Sequence, residues 1–325
     1  MKYTEINGIK VSKICLGTWN ITGDSTWGYQ DEKDSIETIK VALDCGINFF
    51  DTAEAYGDGY SEELLGKLLS PLKDKVVIAS KTVKAKYKEV ISACENSLKR
   101  LKREWIDIYY IHWPNREIPF EETVRAMEKL EREGKIKMMS VSNFGVKDLS
   151  EILKLYPVKL NQLAYSLLFR AIEYEILPFC IENKISIACY SPLMEGLLTG
   201  KFKSPEEVPD GRARTRHFSK NRPLSKHQEE GAEQETFKTI EGIRKISEET
   251  GIPMVQISLS YLLHKKGVEV VVVGARKKKQ VEENAKSSEI TLSPDIIEKL
   301  DRITENLKNK LGKNPDMWLT NSRIR

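Results

Sequence analysis

The sequence lacks long apolar runs, an apolar leader and an excess of charge of either sign. No stretch approaches the roughly 18–20 apolar residues that a membrane-spanning helix needs, which argues against a membrane protein. The N-terminal segment MKYTEINGIKVSK has no apolar signal core, so we expect a cytoplasmic protein rather than a secreted one. With 52 basic and 48 acidic residues, the net charge of +4 is too balanced for a nucleic-acid binder that relies on bulk charge.

Cysteine and histidine are also scarce. The five cysteines are odd in number and form no CxxC pair, so we expect reduced thiols of the kind found in a cytosol. The four histidines show neither HExxH nor HxH spacing. A catalytic zinc site is therefore not expected.

Short apolar segments alternate along the chain with amphipathic ones. Eight segments are short, rich in β-branched residues and apolar on both faces, as buried parallel strands are. The segments between them repeat apolar residues at helical spacing, as Phe120, Val124, Met127 and Leu130 do. The predicted strands are 14–17, 48–52, 76–80, 106–112, 137–142, 158–162, 185–191 and 268–274.

Eight strands that alternate with helices predict a closed (β/α)8 TIM barrel, formed by residues 1–325 as one domain. An open doubly wound sheet would need a GxGxxG turn after its first strand, and the first strand here ends LGTWN. Asn7 and Gly8 separate two alternating runs, which predicts an N-terminal β-hairpin across one barrel mouth. The polar, basic segment 203–232 predicts a long loop. Extra helices are expected near 234–250, 253–265 and 294–310.

Polar side chains end several predicted strands, where an α/β barrel places its chemistry. Asp51 ends the second strand, Lys81 the third and His112 the fourth, and Tyr56 follows Asp51 by five residues. Each alone has a structural explanation, such as a cap or a core residue, but together they point into one mouth. A buried aspartate and lysine must pair, and the ammonium should lower the pKa of a nearby phenol. Such a tyrosine is suited to exchanging a proton with a carbonyl or alcohol.

Eight motifs follow one another along the chain: LGTW, FFDTAEAYG, SKT, YYIHWP, SVSNFG, NQLAYSLL, YSPLMEGLLTGK and GARKKKQVEEN. In this order they make the chain similar to the aldo-keto reductase family, in the bacterial branch with a Gly-x-Arg turn. That family is a (β/α)8 barrel that reduces carbonyl compounds with a nicotinamide cofactor and catalyses the reverse oxidation. The resemblance implies an NADPH-dependent oxidoreductase that reduces aldehydes or ketones to alcohols, with NADH as an alternative cofactor.

The resemblance also implies roles for individual residues. Tyr56 would be the general acid, Lys81 would lower its pKa, and Asp51 would hold Lys81. His112 would position the carbonyl. Ser142, Asn143 and Gln162 would bind the nicotinamide carboxamide, and Tyr190 would stack on the nicotinamide ring. Further cofactor contacts are implied for Gly17, Thr18, Trp19, Asp51, Ser191, Leu193, Gly196, Lys201, Gly274, Ala275, Arg276, Gln280, Glu283 and Asn284, and substrate contacts for Trp19, Tyr56, His112 and Trp113.

Basic residues crowd the start of the helix that follows the last strand, from Arg276 to Lys279. Cations there oppose the helix dipole, and a bound anion would resolve the conflict. The 2′-phosphate of NADPH is such an anion, whereas Glu283 could favour the free ribose hydroxyl of NADH. Lys278 and Lys279 could equally face water.

The basic stretch 212–222 has two interpretations: a lid over the cofactor phosphates or a solvated loop. It carries Arg212, Arg214, Arg216, Lys220 and Arg222. Trp113, after His112, could wall the substrate pocket. So could Trp318 in the C-terminal tail, although tail tryptophans more often pack against the core.

Two other functions compete with the reductase. A cofactor-binding regulatory or redox-sensing subunit with little turnover would keep the same four catalytic residues. A barrel aldolase would use Lys81 as a Schiff-base lysine, which would leave Tyr56, Tyr190 and the Arg276 turn without a purpose. The motifs specify a small-molecule carbonyl or alcohol substrate without naming it, and they specify no oligomeric state.

Overall fold

The computed structural model describes residues 1–325 and contains a closed barrel of eight parallel strands. The chain opens with an antiparallel hairpin of β1 (Tyr3–Ile6) and β2 (Ile9–Ser12). The barrel then follows chain order and closes where its last strand pairs with its first. Its strands are β3 (Ile14–Gly17), β4 (Phe49–Asp51), β5 (Val77–Thr82), β6 (Ile106–Ile111), β7 (Ile136–Ser142), β8 (Leu160–Ala164), β9 (Ser186–Tyr190) and β10 (Val268–Gly274).

Helices surround the barrel and turn their apolar stripes inward. The stripe predicted from Phe120 to Leu130 is buried in full, and acidic residues begin that helix where the dipole favours them. Asp31 caps the first helix by accepting from the Lys33 amide. The helices are α1 (Glu32–Asp44), α2 (Tyr60–Leu69), α3 (Tyr87–Leu101), α4 (Phe120–Arg132), α5 (Val146–Ile152), α6 (Ile176–Glu182), α7 (Glu233–Thr250), α8 (Met254–His264), α9 (Lys278–Lys286) and α10 (Pro294–Leu311).

Two apolar clusters form the core. The larger lies between the strands and the surrounding helices, and the smaller fills the barrel interior. Ile6 and Val11 of the hairpin belong to the inner cluster together with Cys15 and Phe49. The hairpin therefore closes one mouth of the barrel, as predicted, and the opposite mouth holds the carboxyl ends of the strands.

The predicted long loop after β9 is confirmed. Residues 203–232 contain only a short 3₁₀ turn at Pro205–Glu207. Arg216 holds the loop in place, because its buried guanidinium donates to Glu229 Oε1 at 2.7 Å, Leu311 O at 2.6 Å and Asn314 O at 3.0 Å. The helices expected after the loop and near the C-terminus correspond to α7, α8 and α10. None of the ten helices combines the length and apolarity that a membrane span requires.

Two strand boundaries differ from prediction in a way that bears on the site. β5 runs to Thr82, so Lys81 lies inside the strand and is fully buried. β8 runs from 160 to 164, so Gln162 stands in mid-strand, two residues before its end. Parallel pairing sets Gly17 beside both Asp51 and Gly274, and sets Ser142 beside Gln162. The register therefore gathers the predicted polar residues at one end of the barrel.

Candidate active site

A single large cavity of about 1360 Å³ opens at the carboxyl ends of the strands. All but two of the predicted site residues line it. The exceptions are Lys81, which lies behind the wall, and Ala275, which is buried in the turn after β10. Lys81 therefore reaches the cavity only through the groups that it contacts.

The Lys81 ammonium lies between a carboxylate and a phenol. It donates to Asp51 Oδ1 at 2.5 Å, to the Thr52 carbonyl at 2.8 Å and to Tyr56 Oη at 3.3 Å. An ammonium has three protons, so these three acceptors satisfy it fully. Asp51 is held in turn by Gln162, whose Nε2 donates to Oδ2 at 2.8 Å.

The ionisation of this cluster differs in one respect from the sequence prediction. Burial lowers the pKa of Lys81, but Asp51 and Tyr56 together more than offset it, and the net shift is upward. Burial also raises the pKa of Tyr56, and the nearby Lys81 ammonium offsets only part of that rise. The prediction that the pKa of the Tyr56 phenol is lowered was therefore wrong, because its loss of solvation on burial outweighs the effect of the Lys81 ammonium.

His112 follows β6 directly and faces the Tyr56 ring edge-on, with ring centroids 6.1 Å apart. Burial, with a smaller contribution from Lys81, lowers the pKa of this imidazole to about 3. The ring is consequently neutral at physiological pH. A neutral imidazole in this position can donate a hydrogen bond to an oxygen held near Tyr56.

The residues expected around a nicotinamide form a hydrogen-bonded chain. Tyr190 Oη donates to Asn143 Oδ1 at 2.9 Å, and Asn143 Nδ2 donates to the His112 carbonyl at 3.0 Å. Ser142 Oγ donates to the Gln162 carbonyl at 3.0 Å. The chain fixes the orientation of the Asn143 amide beside the half-buried Tyr190 ring.

Trp19 forms the wall next to Tyr56. Its ring stacks on the phenol with centroids 6.1 Å apart, and its Nε1 donates to Asp24 Oδ2 at 2.9 Å. Thr18 is buried beneath it and donates to the Asp51 carbonyl at 2.9 Å. Trp113 and Trp318 also line the cavity.

The far end of the cavity carries cations that have no anionic partner. Ser191, Leu193 and Gly196 line this end, and a Cβ on Gly196 would lie 3.3 Å from the Lys201 ammonium. The guanidinium of Arg212 is also close to Gly196, with Nη1 3.7 Å from the same point. Neither Lys201 nor Arg212 has a side-chain hydrogen bond or a carboxylate within 4 Å. Burial, together with Arg212 and Arg276, lowers the pKa of Lys201 to about 8.

Arg276 stands at the turn after β10, but its guanidinium is already engaged. It donates to Gln30 Oε1 at 2.7 Å and to the backbone carbonyls of Trp27 at 2.6 Å, Gly28 at 3.1 Å and Tyr29. The backbone N–H of Arg276 is also occupied, because it donates to Gln280 Oε1 at 2.8 Å. Segment 27–30 thus covers the residue predicted to meet the 2′-phosphate.

The remaining residues of the turn are divided between the cavity and the surface. Gly274, Gln280, Glu283 and Asn284 line the cavity. Lys278 pairs with Glu37 at 3.0 Å on the protein surface and takes no part in the cavity wall. Among the predicted lid residues, only Arg212 and Arg214 line the cavity. Arg216, Lys220 and Arg222 pair with Glu229, Glu230 and Glu233 instead.

Several residues of the cavity wall escaped the sequence analysis, and two of them are Glu195 and Trp27. Glu195 is buried within a left-handed segment, and burial raises its pKa to about 7 although Arg214 and Arg212 lower it. Trp27 packs edge-on against Trp19 with centroids 5.4 Å apart. Neither follows a barrel strand directly, so the strand-end rule could not find them. Glu195 lies within the motif YSPLMEGLLTGK, whereas Trp27 lies outside all eight motifs.

Comparison with known proteins identifies the family of this chain. The sequence profile described as the aldo/keto reductase family matches residues 13–305. The chain is 35% identical to aldo-keto reductase YhdN of Bacillus subtilis (strain 168), over 94% of both chains. It is 27% identical to a probable voltage-gated potassium channel subunit beta of Oryza sativa subsp. japonica, over 94% of this chain and 97% of that one. A crystal structure of an aldo-keto reductase from Klebsiella pneumoniae in complex with NADPH is 28% identical and superposes with a TM-score of 0.74, over 94% of this chain and 96% of that one.

The profile covers most of the barrel, and the similarity to YhdN extends over nearly the whole chain. The fold, with eight parallel strands and an N-terminal hairpin, agrees with that of the structural relative. The chain therefore belongs to the aldo/keto reductase family of oxidoreductases.

Proposed function

We propose that this protein is an NADPH-dependent reductase that converts aldehydes or ketones to alcohols, and that also catalyses the reverse oxidation. The contact of the Lys81 ammonium with both Asp51 and Tyr56 carries this proposal. The Tyr56 phenol is protonated and lines the cavity beside the neutral imidazole of His112. These are the groups that a carbonyl oxygen needs when it accepts a proton.

The cavity fits a dinucleotide in shape and charge. Two unpaired cations, Lys201 and Arg212, flank Gly196, where a side chain would fill the space beside them. An anion at this point would give both cations a partner, and a diphosphate is the anion that joins the halves of a dinucleotide. We assign Ser191, Leu193, Gly196 and Lys201 to that region, with Arg212 added from the structure.

The two ends of the dinucleotide would contact different residues. Asn143, held by Tyr190, would present its amide to the nicotinamide carboxamide, with Ser142 and Gln162 behind it and the Tyr190 ring against the nicotinamide. Gly17, Thr18 and Trp19 would form the adjoining wall. Gly274, Ala275, Arg276, Gln280, Glu283 and Asn284 would surround the adenosine ribose and its 2′-phosphate. Because Glu283 is also present there, NADH is an alternative cofactor.

The chemistry divides between the cofactor and four side chains. NADPH, when bound, supplies the hydride that reduces the carbonyl carbon. Tyr56 donates its phenolic proton to the carbonyl oxygen, and Lys81 stabilises the phenolate that remains. Asp51 keeps Lys81 charged and in place, and His112 orients the carbonyl by donating a hydrogen bond. Trp19 and Trp113 would contact the rest of the substrate.

A second function has a specific observation in its favour. The similarity to a probable potassium channel subunit beta supports a cofactor-binding regulatory or redox-sensing subunit with little turnover. The aldolase alternative loses support, since a lysine with a raised pKa and three hydrogen-bonded acceptors is a poor nucleophile.

Counting product molecules per protein molecule separates the reductase from the sensor. The protein is incubated with excess NADPH and a panel of aldehydes and ketones, and alcohol is quantified by chromatography. A reductase yields hundreds of product molecules per protein molecule. A yield that stops near one would overturn the reductase and support the sensor. The Tyr56→Phe variant serves as the control for uncatalysed reduction.

A further inference from the structure

Arg214 is a cavity cation that has neither a hydrogen-bond partner nor an ion-pair partner in the protein. Its side chain makes no hydrogen bond and has no carboxylate within 4 Å. Its Nε is buried without any partner. A buried N–H group without an acceptor is costly, and native proteins rarely leave one in that state. The guanidinium therefore has unused capacity to donate hydrogen bonds.

Two tryptophan rings hold this guanidinium in place. Its central carbon lies 5.4 Å from the Trp19 ring centroid and 4.7 Å from that of Trp318. Such contacts orient the planar group and cover its faces, while its N–H groups remain directed along the plane. Arg323, another arginine of the same cavity wall, differs because it forms two hydrogen bonds to Asp316 at 2.7 Å and 3.0 Å.

The position of Arg214 separates it from the cations at the diphosphate end. Lys201 and Arg212 lie near Gly196, and Arg276 is bound to segment 27–30. Arg214 instead packs on Trp19, whose ring stacks on the Tyr56 phenol. The guanidinium and the proposed proton donor therefore both contact the Trp19 ring, and all three residues line the same cavity.

One buried carboxyl group, Glu195, influences Arg214 electrostatically from beyond ion-pair distance. The charged groups that affect it are Arg214, Arg212 and Asp24. Because burial raises the pKa of Glu195 to about 7, this carboxyl is only partly ionised at neutral pH. It does not neutralise the guanidinium as a close ion pair would.

We propose that Arg214 binds a carboxylate carried by the carbonyl substrate, so that the preferred substrates are short oxo acids rather than neutral aldehydes. A planar guanidinium between two flat rings matches a planar carboxylate, which can accept two parallel hydrogen bonds. Trp19 and Trp318 would enclose the short chain between the acid and the carbonyl. This proposal rests on the reductase activity proposed above and specifies the substrate class.

The test compares substrates that differ by one charge. kcat/KM is measured with NADPH for 4-oxobutanoate and for its methyl ester, in the wild type and in Arg214→Met. We expect the wild type to favour the acid by about 10- to 100-fold, as for a charge-assisted hydrogen bond. Arg214→Met should abolish this preference and change the ester by no more than about threefold. Arg214→Lys, which keeps the charge but loses the planar fork, should retain a smaller preference.

Lys226→Met is the matched control, because Lys226 is an exposed cation at the rim of the same cavity and has no ion pair. It removes one charge without touching the tryptophan pair. Its effect on the acid should stay within about threefold and disappear in salt. Equal losses in Lys226→Met and Arg214→Met would show a general charge effect and overturn the proposal.

Titration with ligands that cannot be reduced tests the carboxylate site separately from the proposed reductase activity. Butanoate and butanamide are titrated against tryptophan fluorescence, and the Kd for NADPH is measured in each variant. Butanoate should bind the wild type and not Arg214→Met, whereas butanamide should bind neither well. If neither 4-oxobutanoate nor its methyl ester is reduced while butanoate binding depends on Arg214, the proposed reductase activity is wrong and the proposed carboxylate site is supported. Equal kcat/KM for acid and ester in the wild type, or a tenfold loss of NADPH affinity in Arg214→Met, would overturn the site.

Discussion

The two ends of the cavity differ in how their charged groups are paired. At the Tyr56 end, the ammonium of Lys81 and the carboxylate of Asp51 are buried against each other and hydrogen-bonded by their neighbours. At the Gly196 end, Lys201 and Arg212 are close together and have no carboxylate within 4 Å. The difference indicates that the protein completes the first end by itself, whereas the second end is completed by an anionic ligand.

This contrast predicts different consequences of mutation. Removing one member of a buried, paired cluster leaves an uncompensated charge, which costs roughly 3–5 kcal/mol. Removing an unpaired cation from a group of like charges leaves nothing uncompensated. Variants at the Tyr56 end should therefore affect the reaction or the fold, and variants at the Gly196 end should affect ligand affinity alone.

The largest effect is expected from Tyr56→Phe. It removes the phenolic hydroxyl and leaves the ring to pack on Trp19. If Tyr56 is the proton donor, kcat for aldehyde reduction should fall by about two to four orders of magnitude. The Kd for NADPH, measured by fluorescence titration, should change less than twofold. Near-normal turnover would remove Tyr56 from the mechanism.

Lys81→Met tests whether the Tyr56 end depends on its ion pair. It leaves Asp51 buried with Gln162 as its remaining side-chain partner, so unfolding in urea should show a loss of roughly 3–5 kcal/mol. Turnover should also fall by about two orders of magnitude or more, because the phenolate loses its cation. Lys67→Met, which breaks the exposed pair with Glu32 at 3.0 Å, is the control and should leave the free energy of unfolding almost unchanged. Similar stability losses in both variants would contradict the contrast between the two ends.

Lys201→Met tests the Gly196 end. Because the diphosphate is common to both cofactors, the Kd values for NADPH and NADH should rise together by about tenfold. The free energy of unfolding without cofactor should stay unchanged or increase, since a crowded cation is removed. Lys203→Met, which removes an exposed lysine two residues away, should alter neither quantity. A marked loss of stability in Lys201→Met would show that this lysine has a structural partner.

Arg276→Ala should give the smallest effect and distinguish the two cofactors. The guanidinium already donates to Gln30 and to carbonyls of segment 27–29, so a 2′-phosphate must compete with these acceptors. We expect NADPH binding to weaken by about three- to tenfold while NADH binding stays within twofold. Gln30→Ala removes one competitor and should strengthen NADPH binding slightly. If Arg276→Ala weakens both cofactors equally, the residue serves only to hold segment 27–30.

The sequence predicted the Tyr56 end better than the Gly196 end, for a physical reason. Asp51, Lys81 and His112 lie on or next to barrel strands, so strand order alone brings them together. Arg276 follows a strand too, but its partners come from segment 27–30, which carries no periodic pattern. The basic residues of 212–222 recur at short intervals, and this pattern gave no sign that only Arg212 and Arg214 would face the cavity.

The direction of the Tyr56 pKa could not be predicted from the sequence either. The proximity of Lys81 was predictable, and it acts in the expected direction. The opposing effect of burial depends on how Trp19 and the surrounding loops close around the phenol, which only the assembled structure shows. The same burial lowers the pKa of His112 to about 3 and so excludes it as the resting proton donor at neutral pH.

The pH dependence of aldehyde reduction tests the central claim most directly, because it asks which group supplies the proton. A general acid must be protonated, and burial holds the pKa of Tyr56 above its ordinary value of about 10. With saturating NADPH, kcat for reduction by the wild type should therefore stay level from pH 6 to pH 9. The reverse oxidation, which needs the phenolate, should rise with pH over the same range. A reduction rate that falls about tenfold per pH unit above pH 7 would contradict the account, because it would show that the proton donor has a pKa near 7 and is not Tyr56.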